Sequence, residues 1–217
     1  MTAPPVEEGV RGEALIVIAK APVAGRSKTR LCPPCTPEQA AGLARAALED
    51  TLAAVRATPA RRRIIVLEGE PGPWLPDGFE VIAQRGDGLE ERLAAAFEDV
   101  GEAAFLVGMD TPQLTNAHLT EGLEALATAP SVYAPSEDGG YWAIGLRAPD
   151  RAVFTGVPMS LEETGARQRE RLVELGLGIV ELPPLLDVDT IADARTVAAL
   201  APQTRFARAL EAMRLTA

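Results

Sequence analysis

Apolar runs of four to seven residues alternate along the chain with stretches whose apolar positions recur every three or four residues, the mark of strands interleaved with helices. Residues 15–19, 64–67 and 103–109 are continuous apolar runs, as expected of strands covered on both faces. Residues 79–84, 131–135 and 178–182 read as shorter strands, and 141–146 as an alternating strand entered from a Gly-Gly turn. Leu43, Ala47, Leu48, Leu52 and Val55 share one face of a helix over 37–56, with Thr36 as N-cap, Pro37 at the first position and Thr58-Pro59 as its stop. Leu89, Leu93, Ala96, Phe97 and Val100 mark a second helix. Others are expected over 116–126, over 160–175 behind a Ser160–Glu163 capping box, and over 191–200 and 204–215, where two helices cover the sheet. Residues 68–78 and 147–159 are loops. The alternation predicts a three-layer α/β/α fold with a mainly parallel central sheet, as one domain over 13–217 behind a flexible tail of residues 1–12.

The polar break after the first strand is cationic. Lys20, Arg26, Lys28 and Arg30 fall within eleven residues that contain no acid, and Pro22 and Gly25 delay the next helix. The whole chain is acidic, with 21 Lys and Arg against 31 Asp and Glu and a formal net charge of -10. That balance opposes general nucleic-acid affinity, so four bases at a strand's carboxyl end fit a small anionic ligand, the alternative being a solvated basic turn. A P-loop is excluded, because aligning Lys28-Thr29 with its Lys-Thr puts Ser27 and Pro22 where glycines are required. No dinucleotide fingerprint occurs. The apolar runs are too short to cross a bilayer and the first residues lack an apolar signal core, which points to a cytoplasmic protein without a membrane partner.

Acids punctuate the later strand ends. Asp110 directly follows an apolar strand and precedes Thr111-Pro112, which places a carboxylate at the sheet's carboxyl edge, suited to a divalent cation or to a turn. Asp187 and Asp189 flank Val188; in an extended segment both project to one side and suit a metal, while Asp189 or Thr190 also fits the cap of the helix that follows. Gln84, Gly86 and Asp87 lie where a strand passes into a helix and face the same crevice, unless Asp87 is a helix cap. Asp138, Gly139 and Gly140 permit close backbone approach to a ligand or form an ordinary hairpin turn. Cys32 and Cys35 form a C-P-P-C pair ahead of the helix at Pro37, a placement that permits a redox pair; no second cysteine pair and a single histidine, His118, leave a zinc site incomplete, and the pair is read as incidental loop cysteines.

This set resembles the DUF2064 family of GT-A-type transferases, over nearly the whole chain. The family's K-x-P-x-x-G-x-x-K-T-R-L loop matches residues 20–31, and Q-x-G-D, G-x-D-x-P, D-G-G-Y and D-x-D-T follow in order at 84–87, 108–112, 138–141 and 187–190. Met109 departs from the Ser or similar small polar residue that the family often has in the G-x-D-x-P motif, which weakens any hydroxyl role there. The resemblance implies a GT-A (Rossmann-like) fold and a nucleotide-using transferase. The family is similar to nucleotidyltransferases of the phospholactate guanylyltransferase type and to sugar transferases, some linked to arsenosugar pathways. For nucleotidyl transfer, Lys28, Arg30 and Asp110 are the implied catalytic residues. Lys20, Pro22, Gly25, Arg26, Lys28, Gln84, Gly86 and Asp87 would bind nucleotide, and Asp138, Gly139, Gly140 and Tyr141 the acceptor. Asp110, Asp187 and Asp189 would hold Mg²⁺ or Mn²⁺. The implied partners are a nucleoside triphosphate and a small phosphorylated acceptor. The alternatives are a glycosyltransferase using a nucleotide-diphosphate sugar and a non-catalytic nucleotide-binding module.

Overall fold

A computed structural model describes residues 13–213; the tail expected over 1–12 and the end of the last expected helix lie outside them. Seven strands form one sheet in the order β3-β2-β1-β4-β6-β5-β7. They are β1 (Ala14–Lys20), β2 (Arg62–Glu68), β3 (Glu80–Ala83), β4 (Ala104–Val107), β5 (Ser131–Pro135), β6 (Tyr141–Leu146) and β7 (Ile179–Glu181). Only β6 runs against its neighbours, β4 and β5, so the sheet is mainly parallel as expected. The alternating pattern of β6 suggests a half-exposed strand, but all of it except Tyr141 is buried. Its small residues fit a crowded centre: a Cβ on Gly145 would lie 3.0 Å from the Phe105 ring.

Helices α1 (Pro37–Ala57) and α3 (Asn116–Thr128) cover one face of the sheet, and α2 (Leu89–Val100) and α4 (Thr164–Glu174) the other. Thr36 caps α1 through a full capping box with Gln39. The expected capping box at Ser160–Glu163 does not form. Ser160 has a left-handed φ of 62°, Glu163 makes no side-chain cap bond, and α4 starts at Thr164. Residues 147–159 include a short 3₁₀ turn, Arg151–Val153, capped by the Asp150 side chain.

The last two helices, α5 (Ile191–Leu200) and α6 (Arg205–Ala212), pack on the outer side of α1 instead of covering the sheet. The reason lies in α1, which is apolar on two sides. Leu48, Leu52 and Val55 face the sheet, while Ala40, Leu43 and Ala47 join Val197 and Phe206 in a separate cluster. Asp50 of α1 fastens this layer, accepting hydrogen bonds from the backbone N–H groups of Arg205 (3.0 Å) and Phe206 (2.9 Å) at the start of α6. Asp50→Ala leaves two donors without their acceptor and is expected to cost about 2 kcal/mol in urea unfolding. The α6 amides should lose hydrogen-exchange protection first; a change below about 0.5 kcal/mol would contradict the fastening role of Asp50.

Candidate active site

Strand direction decides what meets at one edge of the sheet. β1, β2 and β4 end there, and Lys20 and Glu68 are register partners. Because β6 is reversed, the 136–140 turn joining it to β5 also lies at this edge. A parallel bridge from Ser136 to Leu185 then brings in the segment after β7. The result is a cavity of about 760 Å³ whose walls include Lys20, Glu68, Arg92, Asp110, Asp138 and Asp187. A smaller cavity of about 240 Å³ adjoins it, lined by Arg26, Lys28, Arg30, Asp110 and Asp189.

The cationic loop is shaped from beneath. Buried Ser27 donates its hydroxyl to the Ala21 carbonyl (3.2 Å) and accepts from the Val23 N–H (3.0 Å), closing the turn. Lys28 adopts a left-handed conformation (φ 49°) and enters a 3₁₀ turn, Thr29–Leu31, whose Leu31 is fully buried against α1. Val188 is buried in the same cluster. These two apolar anchors fix the flanking polar residues. Val188 points into the core while Asp187 and Asp189 both line the cavity, the outcome that a period of two predicts. Lys28 Nζ lies 2.8 Å from Asp110 Oδ1 and 3.6 Å from Asp189 Oδ1, and also donates to the Val188 carbonyl. Arg30 pairs with the other oxygen of Asp189 at 2.8 Å.

Acids at the site carry unequal proton affinities. Burial, reinforced by the charges of Asp110 and Asp138, pushes Asp187 up to about 7, although it accepts a hydrogen bond from the Ser136 hydroxyl at 3.0 Å. Burial also acts to raise Glu68, but hydrogen bonds from Lys20 and Arg92 outweigh it and hold that carboxyl below its ordinary value. Thr111 Oγ1, in the cavity wall, is buried without a hydrogen-bond partner among the described residues. Among those residues no three His, Cys, Asp or Glu side chains are gathered into a metal-binding group.

The expected site residues separate into groups. Lys20, Arg26, Lys28, Arg30, Asp110, Asp138, Gly140, Tyr141, Asp187 and Asp189 line the two cavities. Gln84 does too, but its amide nitrogen is committed to the carbonyls of Ala19 (2.8 Å) and Val66 (3.1 Å), so it braces the strand ends. Pro22, Gly25, Gly86 and Asp87 lie outside the lining, and Asp87 is not the cap of α2, whose N-cap is Gly88. Gly139 does not present backbone to a ligand: at φ 90°, a Cβ there would stand 2.0 Å from the Glu162 carbonyl oxygen, so it is glycine to let α4's lead-in pack on the turn. The Tyr141 hydroxyl is directed at Gln168 (3.3 Å) and its ring forms the wall. Cys32 and Cys35 are not joined in a disulfide, and burial first, then Cys32, raises the Cys35 thiol, the reverse of an activated thiol. His118 acts as the N3 partner in the capping box of Thr115.

Sequence reasoning missed Glu68, Arg92 and the 159–162 segment, all in the wall of the larger cavity. Glu68 carried a usable signal, because the strand-end position that singled out Asp110 applies equally to an acid closing β2. Arg92 gave none. It looks like a solvated helix residue until α2 is set against Glu68 and the Gly86 carbonyl, which accepts from its Nε at 3.2 Å.

A mixed sheet in this order, with a cavity at the carboxyl ends of its strands, gives the protein the GT-A fold, and its likeness to the proteins below makes it a transferase. A protein assigned as a nucleotide-diphospho-sugar transferase of Desulfovibrio desulfuricans G20 superposes with a TM-score of 0.82 at 25% identity, over 93% of this chain and 94% of that one. A manganese complex of Rv0371C from Mycobacterium tuberculosis H37Rv shares the fold alone, with a TM-score of 0.50 and 23% identity over 86% and 97% of the two chains. The family follows from sequence. Residues 42–161 match the model described as "Uncharacterized protein conserved in bacteria (DUF2064)", and the chain belongs to that family. It is also 34% identical over 196 residues to the phosphoenolpyruvate guanylyltransferase of Streptomyces avermitilis, covering 85% of this chain and 88% of that one. Among the described residues no helix is long and apolar enough to cross a membrane.

Proposed function

We propose that this transferase moves a nucleotidyl group from a nucleoside triphosphate to a small phosphorylated acceptor, with release of pyrophosphate and with Mg²⁺ or Mn²⁺ as cofactor. The observation that carries the reading is the pairing of Lys28 and Arg30 with Asp110 and Asp189 in the wall of a small cavity, with the larger cavity opening beside them. In such a transfer an oxygen of the acceptor attacks the α-phosphorus, the bond to the bridging oxygen breaks, and pyrophosphate leaves. Catalysis then rests on position and charge, which a fixed cationic loop supplies. The name of the Streptomyces relative supports guanosine triphosphate as donor and phosphoenolpyruvate as acceptor.

The donor set suits the cation. Mg²⁺ takes hard oxygen ligands and binds through one or two carboxylates together with substrate phosphates and water. Asp110 with Asp187 or Asp189 offers those oxygens, and the mutual repulsion felt by Asp187 is the charge that a cation would relieve. When bound, the ion neutralises the phosphates and the departing pyrophosphate. Lys28 and Arg30 hold the triphosphate, Arg30 exchanging Asp189 for a phosphate oxygen. Gln84 keeps the ends of β1 and β2 in register under the nucleotide, and Asp138 and Gly140 line the acceptor side. Arg26 and Lys20 add positive charge at the mouth of the phosphate cavity.

Glycosyl transfer from a nucleotide-diphosphate sugar is the second reading, favoured by the Desulfovibrio structure. A thermal-shift panel separates the two. With Mg²⁺ present, a nucleoside triphosphate at about 100 times its Kd should stabilise the fold by about 2.7 kcal/mol, a rise of several degrees. A larger rise with a sugar nucleotide would contradict the proposal. Binding of donors without turnover is the result a non-catalytic nucleotide-binding module gives.

A further inference from the structure

Of the 21 basic residues in this chain only Lys20 and Lys28 are lysines, and both stand at the site. Everywhere else the chain uses arginine, whose planar fork suits fixed, paired contacts, whereas lysine carries a compact ammonium on a mobile stem. Lys28 is also the more enclosed of the two. Its side chain is 9% exposed, although the acids beside it are open, Asp110 at 44% and Asp189 at 37%. The ammonium donates to the Val188 carbonyl, pairs closely with Asp110 Oδ1 at 2.8 Å and stands 3.6 Å from Asp189 Oδ1. These oxygens come from two segments that the Val188 N–H to Asp110 carbonyl bond (3.0 Å) already ties together.

Two of those atoms belong to the carboxylates assigned above to the divalent cation. An ammonium and a divalent ion compete for the space between Asp110 and Asp189, because both are drawn to the oxygens that face it and they repel each other at short range. We propose that Lys28 is the resident counter-ion of these carboxylates, and that the triphosphate draws its ammonium away so that the divalent cation enters after, or together with, the nucleotide. This rests on the nucleotide and metal roles proposed above. It adds an order of binding and gives Lys28 a second role besides phosphate contact. With Lys28 in place the carboxylates stay neutralised and assembled, and the cation gains its site when phosphate oxygens replace them as the partners of Nζ.

Two measurements on the full chain test it. The first is a Mn²⁺ titration followed by the electron paramagnetic resonance signal of the free ion, with and without an α,β-methylene nucleoside triphosphate. Without nucleotide, Lys28→Met should bind Mn²⁺ about tenfold tighter than the parent or better, in the range typical of coupled sites, while Lys28→Arg should gain nothing. The second uses the parent chain, so it holds even if a variant fails to fold. Amine acylation read by peptide mass spectrometry should label Lys20 readily and Lys28 slowly. Mn²⁺ raised without nucleotide until it saturates the carboxylates in competition with the ammonium, far above the concentration needed with nucleotide, should raise labelling at Lys28 but not at Lys20. Unchanged Mn²⁺ affinity in Lys28→Met, or a Lys28 that stays shielded at saturating Mn²⁺, overturns the counter-ion role and leaves the metal assignment standing. Failure of Mn²⁺ to bind parent and variant alike, even with nucleotide, overturns both.

Discussion

Asp110→Asn is expected to lower turnover about a thousandfold while leaving unfolding stability within about 1 kcal/mol of the parent. The loss follows from replacing a charged oxygen with a neutral amide where the divalent cation is to be held. The stability should survive because the substitution is isosteric and the structural duty of residue 110 is carried by its backbone, whose carbonyl accepts from the Val188 N–H at 3.0 Å. Lys28 meanwhile keeps the Val188 carbonyl and Asp189 as partners. Steady-state kinetics paired with urea unfolding checks the two halves together. Turnover within tenfold of the parent, with unchanged metal dependence, would remove Asp110 from the metal site; an equal collapse of fold and activity would make it a structural residue.

Lys28→Met should show effects of opposite sign on metal binding and on turnover. Removing the ammonium opens the carboxylates to the cation, yet it also removes a donor from the charge that develops as pyrophosphate departs. One donor of that kind is worth about a hundredfold to a thousandfold in kcat. Turnover should therefore fall by that amount even where Mn²⁺ binds more tightly. The neighbouring Arg30 does not replace the lost ammonium, since that guanidinium already has its own phosphate contact in this scheme and its side chain is 69% exposed, against 9% for Lys28. The decisive measurement is kcat at saturating metal and nucleotide, because a defect confined to binding would disappear there. A kcat equal to the parent's would remove Lys28 from the transition state.

Much of this site was legible because local rules and the fold agree. The run that became β1 is buried along most of its length and delivers Lys20 to the edge that an α/β sheet reserves for ligands. The alternation around Val188 predicts two acids on one side, and a buried Val188 turns both toward the cavity. Other features depend on partners distant in sequence. Nothing near Gly139 announces that the Glu162 backbone will press against it, so a packing glycine resembles a ligand-approach glycine. The second apolar side of α1 is visible as alanines, but only the tertiary structure shows that α5 and α6 use it in place of the sheet. Arg92 reads as surface in a helix and becomes part of the cavity only when paired with Glu68, 24 residues earlier. Gln84 stands in its motif as a candidate nucleotide contact, but its amide nitrogen binds the carbonyls of Ala19 and Val66.

Phosphorus-31 NMR of the reaction itself tests the central claim most directly. The protein with Mg²⁺, guanosine triphosphate and phosphoenolpyruvate should yield inorganic pyrophosphate and an equal amount of a new diphosphate-bridged nucleotide product, and Asp110→Asn should yield neither. If the common nucleoside triphosphates release no pyrophosphate with this acceptor, while a nucleotide-diphosphate sugar liberates nucleoside diphosphate, the protein is a glycosyltransferase and nucleotidyl transfer is not its reaction.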